Sequence, residues 1–246
     1  MITITPLASS SAGNAYLIDD GSTRLLLEAG VRYKDIQRGT GFHVSDIVGC
    51  LLTHEHRDHS KAVSDLLKAG VDVYASRGTL VALDAINHHR THPVQAQQSF
   101  TLGTWTILPF NVQHDVSEPM GFLLVNKSGE KLVFLTDTYY CKYRFDGLTH
   151  VMIEANYSKE VLLANVASGR VPQVMAHRLL RSHMSLETAL DFLRANDMSK
   201  IQEIWLIHLS SSNSDEEMFK KRVQEVTGKT VYVAKEGPSH EHSAAH

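Results

Sequence analysis

Asp46-Ile47-Val48-Gly49-Cys50-Leu51-Leu52-Thr53-His54-Glu55-His56-Arg57-Asp58-His59 is the stretch that decides the fold. Its first half is aliphatic and β-branched and reads as a buried strand that runs into a polar turn. The second half carries four metal-ligand side chains in the pattern H-x-H-x-D-H. A helix-like run, Ser60 to Ala69, follows. The four ligands are therefore expected on a loop at the C-terminal end of a strand, held on both sides by regular structure. Imidazole and carboxylate together suit zinc or manganese, iron is also compatible, and two ions can share such a loop.

Working outward, three isolated polar residues also close apolar strands. His114 follows Ile107 to Val112, Asp137 follows Leu132 to Leu135, and His208 follows Ile204 to Ile207. One His at a strand end is usually a hydrogen-bonded structural residue. Three such residues downstream of H-x-H-x-D-H reverse that reading. Two divalent ions about 3.5–4 Å apart can activate one water between them, and one carboxylate must bridge them. Asp137 is the candidate bridge. His54, His56 and His114 are assigned to the first ion, and Asp58, His59 and His208 to the second. Asp58 is counted as catalytic as well as ligating.

A chain of 246 residues can bury a large core, as one α/β domain or two small ones. Its net charge of −3 argues against non-specific nucleic-acid binding over the whole surface but leaves room for a local basic groove. Two cysteines, Cys50 and Cys141, imply no disulfide framework and fit a reducing cytoplasm. No apolar run approaches the roughly 20 residues that span a bilayer, so no membrane partner is expected. Met1 to Pro6 alternates like a strand and lacks the basic start of a signal peptide.

Strands are expected at Ile2 to Leu7, Ala15 to Ile18, Arg24 to Leu27, Val71 to Ala75, Thr104 to Val112, Gly121 to Asn126, Lys131 to Leu135, Val151 to Glu154, Glu203 to His208 and Val231 to Ala234. Helices are expected at Ser76 to Ala85, Ser158 to Val166, Leu186 to Asn196 and Asp215 to Val226. Two blocks of strands, each followed by helices, suggest two face-to-face sheets with helices outside. No linker or repeat interrupts Ile2 to Glu236, so residues 1–236 read as one domain. The Ser/His/Ala-rich residues 237–246 read as a disordered tail, with His240, His242 and His246 inert.

The ordered set H-x-H-x-D-H, His114, Asp137, His208 resembles the dinuclear hydrolase pattern of the metallo-β-lactamase superfamily. The similarity extends from about Ile2 to Lys235 and points to the YycJ (WalJ) branch, related to phosphoribosyl cyclic phosphodiesterases and tRNase Z. It includes Leu7 to Asn14, Gln113-His114-Asp115, Thr136-Asp137-Thr138, Ile153 to Tyr157, Ser182 to Ser185 and His208-Leu209-Ser210. The resemblance implies an α/β fold, a four-layer αββα sandwich with the metals at one edge. It also implies action on nucleic acids or other phosphodiesters, and dimerisation is common among similar proteins. Two departures stand out. Glu28 occupies a place where many members carry Asp behind the metal loop. Asp137 stands where β-lactamases often carry Cys, which argues against drug hydrolysis; Cys141 reads as packed or on the surface.

Glu154 and His183 correspond to the donor pair of tRNase Z-like enzymes. A carboxylate there would orient the imidazole and raise its pKa, so that it can protonate a leaving group. Ser185 to Thr188 equally suits a plain helix start. Ser11 and Asn14, in a small polar loop, and Arg178 and Arg181 are the candidate substrate contacts; the loop could equally support the metal loop or be a plain hairpin turn, and the two arginines equally suit a solvated basic face. His88-His89-Arg90-Thr91-His92 reads as a flexible polar segment. Tyr139, Tyr140, Lys142, Tyr143 and Arg144 could bind a strand or form a half-buried loop. The expected activity is a two-metal phosphodiesterase, most plausibly a nuclease on DNA or RNA. The alternative is a small cyclic phosphate or cyclic nucleotide, and less favoured is an ester, thioester or lactone.

Overall fold

Leu25-Leu26-Leu27 shows how the layers arise. Successive strand side chains point to opposite faces. Leu25 and Leu27 enter one core, together with Trp105, Phe122 and Phe134, while Leu26 enters another with Ile36, Leu66 and Leu80. The same alternation recurs at the far end of the chain. Trp205 and Ile207 join the first core, and Ile204 and Leu206 join a third with Leu190, Phe192 and Phe219. A central core between two sheets, with a helix-covered core outside each, is a four-layer αββα arrangement.

The structure is a computed structural model that describes residues 1–235. The expected tail at 237–246, with His240, His242 and His246, lies outside the described residues. The first sheet contains β1 (Thr3–Ser10), β2 (Gly13–Asp19), β3 (Arg24–Leu27), β4 (Ile47–Leu51), β5 (Val73–Ser76) and β6 (Thr91–Val94), in that spatial order. The second contains β7 (Phe100–Leu102), β8 (Trp105–Asn111), β9 (Met120–Val125), β10 (Lys131–Leu135), β11 (His150–Glu154), β12 (Glu203–Ile207) and β13 (Thr230–Val233), again neighbour to neighbour. The helices are α1 (Tyr33–Gly39), α2 (Arg57–Ser60), α3 (Val63–Lys68), α4 (Arg77–Ala82), α5 (Lys159–Ala167), α6 (Gln173–Ser182), α7 (Leu186–Ala195) and α8 (Glu216–Thr227).

Topology gathers the polar strand ends. β3, β4, β5 and β6 pair in parallel, as do β10, β11, β12 and β13. β8 and β10 are both antiparallel to β9, so β8 runs with β10. The C-terminal ends of β8, β10, β11 and β12 therefore open on one edge of the second sheet, and that of β4 on the matching edge of the first. Functional residues in α/β sheets collect at such ends.

Three local expectations are corrected. The ligand segment is not all loop: Asp58 and His59 lie in the helical turn α2, and the helix expected from Ser60 to Ala69 is split into α2 and α3. His88 to His92 is not a loose segment, because Thr91 and His92 belong to β6. His92 stacks on Tyr74 with 4.6 Å between ring centroids, and Arg90 pairs with Asp72 at 2.9 Å. Finally, α1, α6, β6 and β7 occupy stretches where no element was expected. No helix among the described residues is long and apolar enough to cross a membrane.

Candidate metal centre

The ligand turn is built from backbone before side chains. Ala29 N–H donates to His59 O at 2.7 Å and Ala62 N–H to Ala29 O at 2.8 Å, which clamps α2 against the end of β3. Gly30 permits the approach: a Cβ there would stand 1.6 Å from the Asp58 carbonyl oxygen. Glu28, Asp137 and His208 have φ of 65°, 45° and 54°. Left-handed backbone is uncommon outside glycine and costs about 1–2 kcal/mol per residue. Each of the three follows an apolar strand and turns its side chain back over the sheet edge. Such outliers cluster at sites that the surrounding fold over-determines.

His54, His59, His114 and His208 each turn one ring nitrogen to a protein partner and the other inward. His54 Nδ1 lies 2.9 Å from Thr53 Oγ1, and His114 Nδ1 donates to Ser182 O at 2.7 Å. His59 Nδ1 faces Glu28 at 3.5 Å, and His208 Nδ1 donates to Asp137 Oδ1 at 2.7 Å. Partners of this kind set the tautomer and leave a lone pair on the inward nitrogen. The inward nitrogens of His54, His59 and His114 lie 3.6, 3.4 and 3.5 Å from one atom, Asp137 Oδ2. His59 Nε2 and His208 Nε2 each stand 3.4 Å from Asp58 Oδ2. His56 Nδ1 faces His114 Nε2 at 3.1 Å.

These distances test whether a metal fits. Ligand atoms bonded at about 2.1 Å to one tetrahedral ion lie roughly 3.4 Å apart. His54 Nε2 and His208 Nε2 are buried and have no hydrogen-bond partner among the described residues, although buried polar atoms are normally satisfied. Among the described residues the donors fall into three overlapping groups that share Asp137: His54, His56, His114, Asp137; Asp58, His59, Asp137, His208; and Asp137, Glu154, His183, His208, the last taking in the Glu154–His183 pair. All seven residues of the expected ligand set thus meet at one place, and the geometry fits divalent ions.

Electrostatics agree with a site that concentrates charge. Burial would raise the Asp137 carboxyl, but His208 and His59 hold it well below the ordinary carboxylate value. Burial would lower His59 and His208, but Asp137 above all drives both well above the ordinary histidine value. His54 is pushed well below the ordinary histidine value by burial and by the neighbouring His59 charge, which outweigh Asp137. Glu28 is pushed up by burial.

Glu154 and His183 meet beside this cluster. His183 Nδ1 donates to Glu154 Oε1 at 2.7 Å, and the other carboxylate oxygen accepts from Met184 N at 3.0 Å and Thr138 N at 3.2 Å. Burial would lower the imidazole, but the Glu154 charge and hydrogen bond raise it. The reading of Ser185 as a helix cap holds as well, since its Oγ accepts from Thr188 N at 3.2 Å.

A cleft of about 420 Å³ opens over the centre. His56, Asp58, Asp137, His183 and His208 line it, with Ser11 and Arg178 among the expected substrate contacts. Arg178 also donates to Asp115 at 3.3 Å. Asn14 and Arg181 are not on its wall. Asn14 is buried behind the metal turn, where its Nδ2 donates to Ser10 O at 3.0 Å and Asp58 O at 3.3 Å; its Oδ1 accepts from Tyr16. Arg181 is exposed. Sequence reasoning did not single out Asn156, whose Nδ2 donates to His208 O at 2.9 Å, or the cleft wall Ser210–Asn213. A polar residue two places beyond Glu154 was the available signal.

A family model described as a β-lactamase superfamily domain matches residues 23–209. Exodeoxyribonuclease WalJ of Streptococcus pneumoniae serotype 2 is 30% identical over 226 residues, 86% of this chain and 83% of that protein. Exodeoxyribonuclease YycJ of Bacillus anthracis is 29% identical over 238 residues, 89% and 87% of the two chains. Among solved structures, the metallo-β-lactamase fold protein YhfI from Bacillus subtilis superposes with a TM-score of 0.74 at 17% identity, covering 96% of this chain and 97% of that one. The short form of human tRNase Z gives a TM-score of 0.64 at 16% identity, with the same coverage. At those identities the structural likeness speaks for the fold alone.

Proposed function

The chain belongs to the β-lactamase superfamily, and we propose that within it this protein is a metal-dependent phosphodiesterase, a nuclease acting on DNA or RNA. The observation that carries this reading is Asp137 Oδ2, shared at 3.4–3.6 Å by inward-facing nitrogens of both histidine groups, beside a Glu154–His183 pair on the same cleft. The two exodeoxyribonuclease relatives support the substrate class.

His54, His56 and His114 would hold one divalent ion and Asp58, His59 and His208 a second, with Asp137 shared. Zinc and manganese both suit this nitrogen and oxygen donor set. Such ions, when bound, neutralise phosphoryl oxygens and lower the pKa of water toward neutrality. The chain's own residues do the rest. Glu154 fixes the His183 ring through Nδ1, so Nε2 carries its proton toward the cleft and delivers it to the leaving oxygen. Ser11 and Arg178 contact the substrate phosphate from the cleft wall. Asn14 positions the Asp58 turn from behind. The two free cysteines suit a cytoplasmic setting.

The size of the cleft also admits a small cyclic phosphate. The discriminating experiment presents metal-loaded protein with bis(p-nitrophenyl) phosphate, a cyclic nucleotide and p-nitrophenyl butyrate. Chelator-sensitive hydrolysis of the diester is expected. Turnover of the carboxylic ester alone would refute the phosphodiesterase reading.

A further inference from the structure

The segment between the shared carboxylate and the next strand has no task in the scheme above. It runs Tyr139-Tyr140-Cys141-Lys142-Tyr143-Arg144 and lies over α7. Together with Thr188, Asp191, Phe192 and Ala195 of that helix it forms a second groove of about 540 Å³. We infer that this groove is a track for a single strand of nucleic acid leaving the metal centre, with Tyr140 as a base-stacking platform and Lys142 and Arg144 as phosphate contacts.

Four observations carry the inference. First, the segment that walls the groove is tied to the site: it begins two residues after Asp137, and Tyr139 bonds Gln113, next to His114, through both its backbone and its hydroxyl. Thr138 Oγ1 donates to Tyr140 O at 2.9 Å, and Thr138 N–H is held by Glu154. Second, two adjacent tyrosines stand in solvent, 40% and 52% exposed. Neighbouring exposed rings in one groove form a contiguous apolar patch of the kind that marks an interaction site. Third, Lys142 and Arg144 form no ion pair among the described residues, and Lys142 Nζ rides 5.3 Å over the Tyr143 ring. The acidic residue on the opposite wall, Asp191, is paired with Arg194 at 3.2 Å. Fourth, the order of aromatics and cations matches what a polyanion of stacked bases requires. Rings take bases of any sequence, and interleaved cations follow the backbone. On a chain of net charge −3, such a strip is a local exception.

This deepens the proposed nuclease reading and rests on it for the strand's scissile end. Binding can be tested without catalysis. The full chain in EDTA is titrated against fluorescein-labelled single strands of about ten nucleotides, one DNA and one RNA, by anisotropy; this length falls within the range of single-strand sites. Tyr140→Ala should weaken binding about tenfold or more, whereas Tyr140→Phe keeps the ring and should retain affinity. Lys142→Ala with Arg144→Ala should flatten the slope of log affinity against log salt by about 1.4, since each phosphate contact on a single strand contributes about 0.7. The two arms show which sugar the track prefers. In the metal-loaded enzyme, the ratio of kcat/KM on the long strand to that on bis(p-nitrophenyl) phosphate should fall in Tyr140→Ala. Unchanged anisotropy, salt slope and ratio in these variants would overturn the track. Failure of the parent to cleave either substrate would instead overturn the nuclease reading, while the EDTA titration still decides the track.

Discussion

Glu154→Gln removes one charge and almost no volume from the buried carboxylate behind His183. All four of its partners are N–H groups: His183 Nδ1 at 2.7 Å, Met184 N at 3.0 Å, His208 Nδ1 at 3.2 Å and Thr138 N at 3.2 Å. A carboxylate only accepts, so it can serve all four; an amide must turn its own NH₂ against one pair. The lost charge-assisted bond is worth about 1.5–3 kcal/mol. Without that charge and bond, burial dominates and the His183 pKa should fall. The sign follows from the raised state of His183: burial pushes it down and Glu154 more than reverses that. A proton donor works protonated, so the rate falls as pH rises through its pKa. The alkaline limb of kcat/KM should therefore move to lower pH. The assay is a pH–rate profile on DNA, whose leaving group is a poor alkoxide, beside bis(p-nitrophenyl) phosphate, whose leaving group needs little protonation. DNA cleavage should fall by up to about 10²–10⁴, the usual worth of general acid catalysis, and the aryl ester by far less. An unmoved alkaline limb, or equal losses on both substrates, would refute the donor assignment.

Asn14→Ala should lower metal affinity about 10–100-fold, as for other residues that orient ligands, because the Asp58 carbonyl loses its 3.3 Å donor; calorimetric titration reads this directly. Gly30→Ala places a Cβ 1.6 Å from Asp58 O and 2.1 Å from its carbon, so the ligand turn must shift. A loss of at least about 1–3 kcal/mol is expected by urea unfolding, with reduced metal content. Metal removal should make stability pH-dependent. His59 and His208 are raised well above 6.5, since Asp137 outweighs burial. Their contribution is complete below the ordinary histidine value and is lost as pH rises through the raised values. Asp137 is held well below 3.8, so its contribution is complete above that and is lost in acid. Chelated protein should therefore lose Tm toward alkaline pH, while the loaded protein, whose ions replace those protons, should not. Loading at neutral pH should release protons, read as a buffer-dependent binding enthalpy.

Much of the centre was legible because its residues sit at the ends of apolar runs. Leu132–Leu135 before Asp137 and Ile204–Ile207 before His208 announce parallel strands, and parallel strands share an edge. The αββα layering was legible for the same reason, through alternation within each run. What the sequence hid is mostly backbone. Asp and His tolerate a left-handed φ better than most residues, but residue type alone does not place one at Asp137 or His208, still less at Glu28. Yet that turn aims each side chain. The small polar loop with Asn14 suited a substrate contact and a support for the metal loop alike; the packing of β2 against α2 puts Asn14 behind the turn, on the second side of that choice. β6 carries Pro93 and β7 has three residues, too little for a strand pattern. α6 exposes Val174, Met175 and Leu180, which blurs its buried stripe.

The most direct test is digestion of 5′-labelled single-stranded DNA by the manganese- or zinc-loaded chain, beside Asp58→Ala and with metal content measured on both proteins. Two ions per native chain and chelator-sensitive shortening of the label are expected. Asp58→Ala should fold normally, lose an ion and lose most of the activity. Near-native cleavage by Asp58→Ala, or no cleavage by native protein carrying both ions, would contradict the two-metal nuclease reading.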